Sequence, residues 1–158
     1  MKPQINVLFV CLGNICRSPM AECILRAKIR LVHLENCIFT DSAGTSGWHD
    51  GENMHHGTAQ VLAKHGIDHR GFRSRKIRQN DWEQFDYLVA MDNHNLRDLE
   101  QLFGKAPDKL FQITTLCENL PHDHIPDPWY TSDFDETYRL LEQCCDALLA
   151  KIRQIHYL

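Results

Sequence analysis

The sequence predicts an α/β fold, a single domain in which a four-stranded parallel sheet is flanked by helices on both faces. Two observations carry that prediction. Short apolar runs, Ile5–Val10 and Phe85–Met91 foremost, alternate along the chain with segments of helical periodicity. Such alternation implies strand–helix–strand crossovers, which make the strands parallel and cover the sheet on both faces. No internal repeat, low-complexity tract or Gly/Ser-rich linker marks a boundary, so residues 1–158 read as one domain, long enough for a full hydrophobic core.

The elements follow in order. Ile5–Val10 is short, apolar and rich in β-branched residues, as in a strand buried on both faces. After a tight turn, Ser18 as N-cap and Pro19 as first helical residue open a helix. Its apolar face is Met20, Cys23, Ile24, Ala27 and Leu31. Cys37–Ser42 is a second strand and residues 44–53 a loop. Thr58–His65 is a short helix closed by Gly66. Phe85–Met91 is the third strand, Asp92 caps a helix over Asn93–Phe103, and Lys109–Ile113 is the fourth strand. Residues 119–132 hold three prolines and read as a long surface loop. The last helix covers Phe134–Ile155.

Composition narrows the function. With 43% hydrophobic and 24% charged residues the chain is of soluble globular type. Lys and Arg number 17 against 21 Asp and Glu, a formal net charge of −4. That excludes a nucleic-acid binder relying on bulk positive charge. No apolar run approaches the roughly 20 residues that span a bilayer, and MKPQINVLFV lacks a signal-peptide layout. A cytoplasmic protein is expected, with neither membrane nor nucleic acid as partner. Its seven cysteines cannot all pair with one another, and no two CxxC sites suggest zinc. Cys23, Cys37, Cys117, Cys144 and Cys145 read as buried thiols in a reducing compartment.

Cys11 and Cys16 stand apart. In open parallel sheets ligands bind beyond the carboxyl ends of the strands, and Cys11 ends the first one. The segment Cys11-Leu12-Gly13-Asn14-Ile15-Cys16-Arg17-Ser18 follows. Gly13 and Asn14 tolerate left-handed backbone angles, so successive N–H groups can turn inward as an anion nest. The next helix adds its positive end, and Arg17 a planar fork for two phosphate oxygens. Positive potential around Cys11 favours its thiolate, and the Ser18 hydroxyl can stabilise that thiolate and improve it as a leaving group. The result is a nucleophile at the floor of an oxyanion cradle. A cysteine in an ordinary strand–turn–helix junction is the plainer reading, and the Cys-x5-Arg spacing alone is weakly specific.

The stretch VLFVCLGNICRSPMAE resembles the signature of the low-molecular-weight protein tyrosine phosphatases. SAGTSGWHDGE (Ser42–Glu52), FDYLVAMDNHNLRDL (Phe85–Leu99) and DPWY (Asp127–Tyr130) follow in that family's order and spacing. The resemblance implies a metal-independent phosphatase, without cofactor, that hydrolyses phosphotyrosine and aryl phosphates through a cysteinyl-phosphate. Cys11 would be the nucleophile, Arg17 the phosphoryl-binding cation and Asp127 the acid that protonates the leaving phenolate. Leu12, Gly13, Asn14, Ile15, Cys16 and Ser18 would bind phosphate. Asn14 and Ser42 would hold the loop in shape, although Ser42 also suits an end-of-strand turn. Trp48, His49, Trp129 and Tyr130 would wall the cleft for a phenyl ring, or else act as core anchors. Cys16 could trap oxidised Cys11 as a disulfide or simply fill space. Phosphotyrosine proteins, inorganic phosphate and other oxyanions are the implied partners, and a monomer the implied state.

The departures matter as well. Phe72-Arg73-Ser74-Arg75-Lys76 stands where relatives often place a histidine before an Ala-Arg-Gln-like triplet, and His69 is displaced by three residues, so it is given no supporting role. Trp129 replaces a frequent tyrosine or phenylalanine. Arg70, Arg73, Arg75, Lys76 and Arg78 read as a solvated face rather than a docking site for an acidic phosphoprotein. Asp133, Asp135 and Glu136 suit the first turn of the last helix better than a metal site. His55-His56 and His122/His124 lack an accompanying ligand set, and Cys144-Cys145 reads as packing. Two alternatives share the fold. An arsenate reductase needs two further cysteines around the third strand, and Tyr87–Phe103 has none. A phosphoarginine phosphatase carries threonine before the second loop cysteine, where this chain has Ile15. A non-catalytic phosphate binder would have no use for Cys11, Arg17 and Asp127 together.

Overall fold

The first strand sits at the centre of the molecule. In the computed structural model, which describes residues 4–158, β1 (Ile5–Cys11) pairs in parallel with β2 (Ile38–Gly44) on one side and β3 (Tyr87–Ala90) on the other. β4 (Leu110–Gln112) extends the sheet beyond β3, giving the order β2-β1-β3-β4. Chain connections leave β1 toward opposite edges, so its carboxyl end is the switch point where a ligand crevice opens.

The period-two alternation of β1 divides the core. Ile5, Val7 and Phe9 face α1 (Arg17–Leu31) and the long α6 (Phe134–His156). Leu8 and Val10 face the other way, packing with Leu88, Ala90 and Leu99 on the side of α4 (Asn93–Phe103). β2 runs two residues past the expected end at Ser42, because its register with β1 continues until Gly44 lies opposite Cys11. β3 is shorter than Phe85–Met91; just before its start Asp86 N donates to Asn6 O at 2.8 Å while the Asp86 carboxylate accepts the Asn6 N–H at 2.7 Å.

Several helix boundaries differ from expectation. α1 begins at Arg17, after Cys16, with no side-chain cap, so Ser18 and Pro19 lie inside its first turn. Proline is tolerated there because first-turn N–H groups have no helical acceptor. The buried stripe of α1 runs through Met20, Ala21, Ile24, Leu25 and Ile29; Ala27 is half-buried and Leu31 is 80% exposed. α2 (His56–Lys64) starts two residues early, because the His55 ring nitrogen accepts the Gly57 N–H at 3.0 Å. Asp92 caps α4 as expected, accepting from the Asn95 N–H at 2.8 Å.

A short α3 (Asp81–Gln84) and a 3₁₀ turn over Ile113–Leu116 were not legible in the pattern. The presumed loop over 119–132 is more ordered than its prolines suggest. Pro128–Thr131 forms α5, capped by Asp127, and Ile125 is wholly buried with its N–H donating to Met91 O at 2.9 Å. Asp133 caps α6 by accepting from the Glu136 N–H, which accounts for the acidic cluster there. Among the described residues no helix is long and apolar enough to cross a membrane.

Candidate active site

Residues 11–17 connect β1 to α1 as a loop whose carbonyls are pinned outward. Cys11 O accepts from Thr45 N at 2.9 Å, Leu12 O from Ser46 N at 3.0 Å, and Ile15 O from His55 N at 2.8 Å. Ser74 Oγ donates to Gly13 O at 3.3 Å and Thr58 Oγ1 to Cys16 O at 3.1 Å. The N–H groups of Leu12, Gly13, Asn14, Ile15 and Cys16 donate to no protein acceptor among the described residues. Five free donors on one tight loop form the concavity expected of an anion nest.

The left-handed residue in this loop is Asn14, at φ 55°, not Gly13. At Gly13 a Cβ would stand 3.2 Å from the His49 ring, a tight contact that the ring would have to relieve by a small shift. Gly44, at the end of β2, is tighter still, since a Cβ would meet Leu12 O at 2.8 Å and Ser46 O at 2.9 Å.

Donor accounting fixes the direction of the network beneath the loop. Asn14 Nδ2 donates to Ser18 Oγ at 2.8 Å and to Ser42 Oγ at 3.0 Å. Its Oδ1 accepts from the Arg75 N–H at 3.0 Å. Ser42 in turn donates to the buried Glu22 carboxylate at 2.6 Å. With its oxygen already accepting, Ser18 has its own proton to direct at Cys11 Sγ, 3.0 Å away. The Ser18 hydroxyl thus faces the thiol, as expected, but does not cap the helix. Burial pushes the Glu22 carboxyl up, while Ser42 and its ion pair with Arg26 pull the other way.

Arg75 also departs from expectation. Rather than joining a solvated basic face, it is mostly buried and pairs with Asp81 at 3.0 Å and Asp41 at 3.1 Å. That clamp holds the Ser74-Arg75 backbone against the loop.

Arg17 is 3% exposed. Its Nη1 donates to Asp92 at 2.7 Å and to Ile125 O at 2.9 Å, and its Nη2 lies 3.5 Å from the Asp127 carboxylate. Its Nε is buried with no partner. Burial disfavours the guanidinium charge, but Cys11, Asp127 and Asp92 outweigh it and hold Arg17 above its ordinary value. Asp92 feels burial too, yet Arg17 and the Asn95 N–H hold its carboxyl below the usual range. The sequence marked Asp92 only as a helix cap. Its place at the carboxyl end of β3, beside β1, was the available signal for a second role.

Above the loop is a pocket of about 150 Å³ lined by Cys11, Leu12, Gly13, Ile15 and Cys16. Its rim is Trp48, His49, Asp127, Trp129 and Tyr130. Asn14, Arg17, Ser18 and Ser42 are not part of this lining, and Arg17 lines the neighbouring cleft. His49 is oriented by Glu52 through its Nδ1 at 2.9 Å. His55 meets Trp129 edge-on at 5.9 Å and stacks on Phe134 at 4.9 Å, a rim support that the sequence reading missed. Cys16 is buried and free; desolvation foremost, then Cys11 and Asp127, push its thiol up to about 12. Cys117 is only half-buried, unlike the other non-loop cysteines, because it lies just beyond the 3₁₀ turn with its Sγ against Gln143 O. Among the described residues no three metal-binding side chains cluster.

The chain matches known proteins over nearly all its length. Residues 6–156 fit the family described as low molecular weight phosphotyrosine protein phosphatase. The low molecular weight protein-tyrosine-phosphatase YfkJ of Bacillus subtilis is 42% identical over 152 residues, covering 96% of this chain and 97% of the relative. The crystal structure of YfkJ superposes with TM-score 0.91 at 41% identity, over 96% of each chain. A Drosophila arginine phosphatase has the same architecture, with TM-score 0.84 and 32% identity over 97% of this chain and 98% of that one.

Proposed function

Because the chain belongs to the low molecular weight phosphotyrosine protein phosphatase family, we propose that it hydrolyses phosphotyrosine in two displacements at Cys11. In the first, the Cys11 thiolate attacks phosphorus, an S–P bond forms, and the P–O bond to the phenol breaks. Asp127 gives its proton to the departing phenolic oxygen. In the second, the Asp127 carboxylate takes a proton from water, whose oxygen attacks phosphorus. The S–P bond then breaks, releasing inorganic phosphate and restoring the thiolate.

Charge on the phosphoryl oxygens is met by Arg17 and the loop N–H groups, held in place before the substrate arrives. The buried, unpartnered Arg17 Nε suits that assignment, since a phosphoryl oxygen would supply its missing acceptor. Ser18 stabilises the thiolate when it attacks and again when it leaves. The observation that carries this reading is the coincidence of Cys11 Sγ, 3.0 Å from Ser18 Oγ, with a pocket whose rim holds Asp127.

The aromatic and aliphatic walls favour an aryl phosphate. Ile15 in the lining gives a guanidinium no polar partner, which weighs against phosphoarginine. The residues this mechanism uses all belong to one chain, and we take the protein to act as a monomer. Seven free cysteines suit a reducing compartment, the cytoplasm.

Matched phosphotyrosine, phosphoserine and phosphoarginine peptides, assayed in chelator with wild type and Cys11→Ser, test the reading. Phosphotyrosine turnover that survives chelation and disappears in the variant is expected. Turnover equally strong in Cys11→Ser, or preference for phosphoarginine, would contradict it.

A further inference from the structure

Beside the phosphate pocket lies a second, larger cleft of about 720 Å³, between the start of α4 and residues 123–127. The two share Leu12, Asp127 and Tyr130, so they are neighbours across one low wall. Four carboxylates line the second cleft: Asp92, Asp98, Asp123 and Asp127. Its one strong cation, Arg17, is already engaged by Asp92 and Asp127. Asp123 pairs only with adjacent His124, at 2.9 Å, and Asp98 is exposed without an ion pair among the described residues. The rest of the polar lining is neutral amide, the Tyr130 hydroxyl and the imidazoles of His94 and His124.

An acidic rim alone would be no more than a solvated surface. A second, independent feature points to a ligand. Asn95, on the same lining, is 2% exposed, and its Oδ1 is buried with no hydrogen-bond donor. Buried carbonyl oxygens are rarely left so, and an N–H brought in by a ligand would satisfy this one. Four carboxylates face one arginine, which two of them already engage, so the cleft carries an excess of negative charge. Its complement is a donor-rich cation.

Building on the phosphatase reading, we propose that this cleft receives a lysine or arginine side chain flanking the phosphotyrosine of the substrate. The protein therefore selects phosphotyrosines with basic neighbours. An extended peptide advances about 3.3–3.6 Å per residue, and a long basic side chain adds further reach, so a residue one or two positions away can cross the shared wall. Phosphate in the first pocket deepens the negative potential next door. Arginine is the better occupant, because its planar fork can hold a carboxylate through two parallel N–H bonds.

The test compares kcat/KM for phosphotyrosine peptides with Arg, Lys, Ala or Glu at each flanking position, at low and high salt. Wild type, Asp98→Asn and Asp98→Lys are each normalised to their own turnover of p-nitrophenyl phosphate. Wild type should favour basic over alanine flanks by roughly five-fold at low salt, the range for a part-exposed ion pair. Salt should shrink that preference, Asp98→Asn should reduce it, and Asp98→Lys should abolish it. Equal rates for basic and alanine flanks, or a preference untouched in Asp98→Lys, would overturn the proposal while leaving the phosphatase reading intact. Absence of Cys11-dependent p-nitrophenyl phosphate turnover would overturn both.

Discussion

Asn14 shows how one side chain can organise a site it does not line. Its amide donates to Ser18 and Ser42 while its carbonyl accepts from Arg75, which leaves the Ser18 proton for Cys11. The residues proposed to do the chemistry stood out in the sequence, because Cys11, Arg17 and Ser18 sit together on one short loop. Residues that act by holding were harder to see. Glu22 lies one turn into α1 with the look of a surface carboxylate, and only folding brings β2 and Ser42 over it. Asp92 was hidden by having two uses, since one carboxylate oxygen caps α4 and the other pairs with Arg17. That pairing has a pH signature. A carboxyl depressed in the folded state contributes stability above its unfolded pKa and loses it as pH falls through the folded value. Asp92→Asn should lower stability by about 1–3 kcal/mol at pH 7, as for loss of a charged hydrogen bond. Urea unfolding should show that gap constant down to the ordinary carboxylate range near pH ~4 and closing only below it. A gap that narrows between pH 7 and 5 would assign the effect to another group.

At the scale of elements, the sheet and the long helices were readable because burial writes a period into them. β1 is apolar throughout except Asn6, and α4 carries its own cap in Asp92. Short pieces escaped detection for the converse reason: α3 and α5 have four residues each, too few to show a period. Pro128 looked like a loop residue yet opens α5, a position where its missing N–H costs nothing. The start of α1 was misjudged because the serine hydroxyl had a better partner in Cys11 than in the helix N–H groups. The contact between β2 and the phosphate loop is a sharper constraint, since Gly44 leaves no room for a Cβ beside Leu12 O and Ser46 O. Gly44→Ala should cost about 1–3 kcal/mol, as other overpacked sites do, and lower kcat more than it raises KM. Thermal unfolding and steady-state kinetics on p-nitrophenyl phosphate check both parts. Unchanged kcat with reduced stability would mean that the loop does not transmit the strain.

The whole molecule places its chemistry where the topology opens a crevice. β1 supplies Cys11, the proposed nucleophile, at its carboxyl end, β3 is followed at its own by Asp92, and the 125–127 segment returns to the sheet through Ile125 N and Met91 O. The return brings Asp127 to the rim from more than a hundred residues away in sequence. Pattern alone could not have found that approach, because a carboxylate in a proline-rich loop has no periodicity to read; its place in DPWY was the signal. Direct observation of the covalent intermediate tests the account most sharply. Wild type, Cys11→Ser and Asp127→Asn would be mixed with p-nitrophenyl phosphate, quenched in acid within one turnover, and digested for mass spectrometry. The nitrophenolate leaves without help, so Asp127→Asn should form the intermediate and then hydrolyse it slowly. The account predicts one added phosphoryl group on the peptide bearing Cys11, transient in wild type, accumulating in Asp127→Asn and absent in Cys11→Ser. Turnover by wild type with no adduct at Cys11 in either active form, or an adduct on another residue, would contradict it.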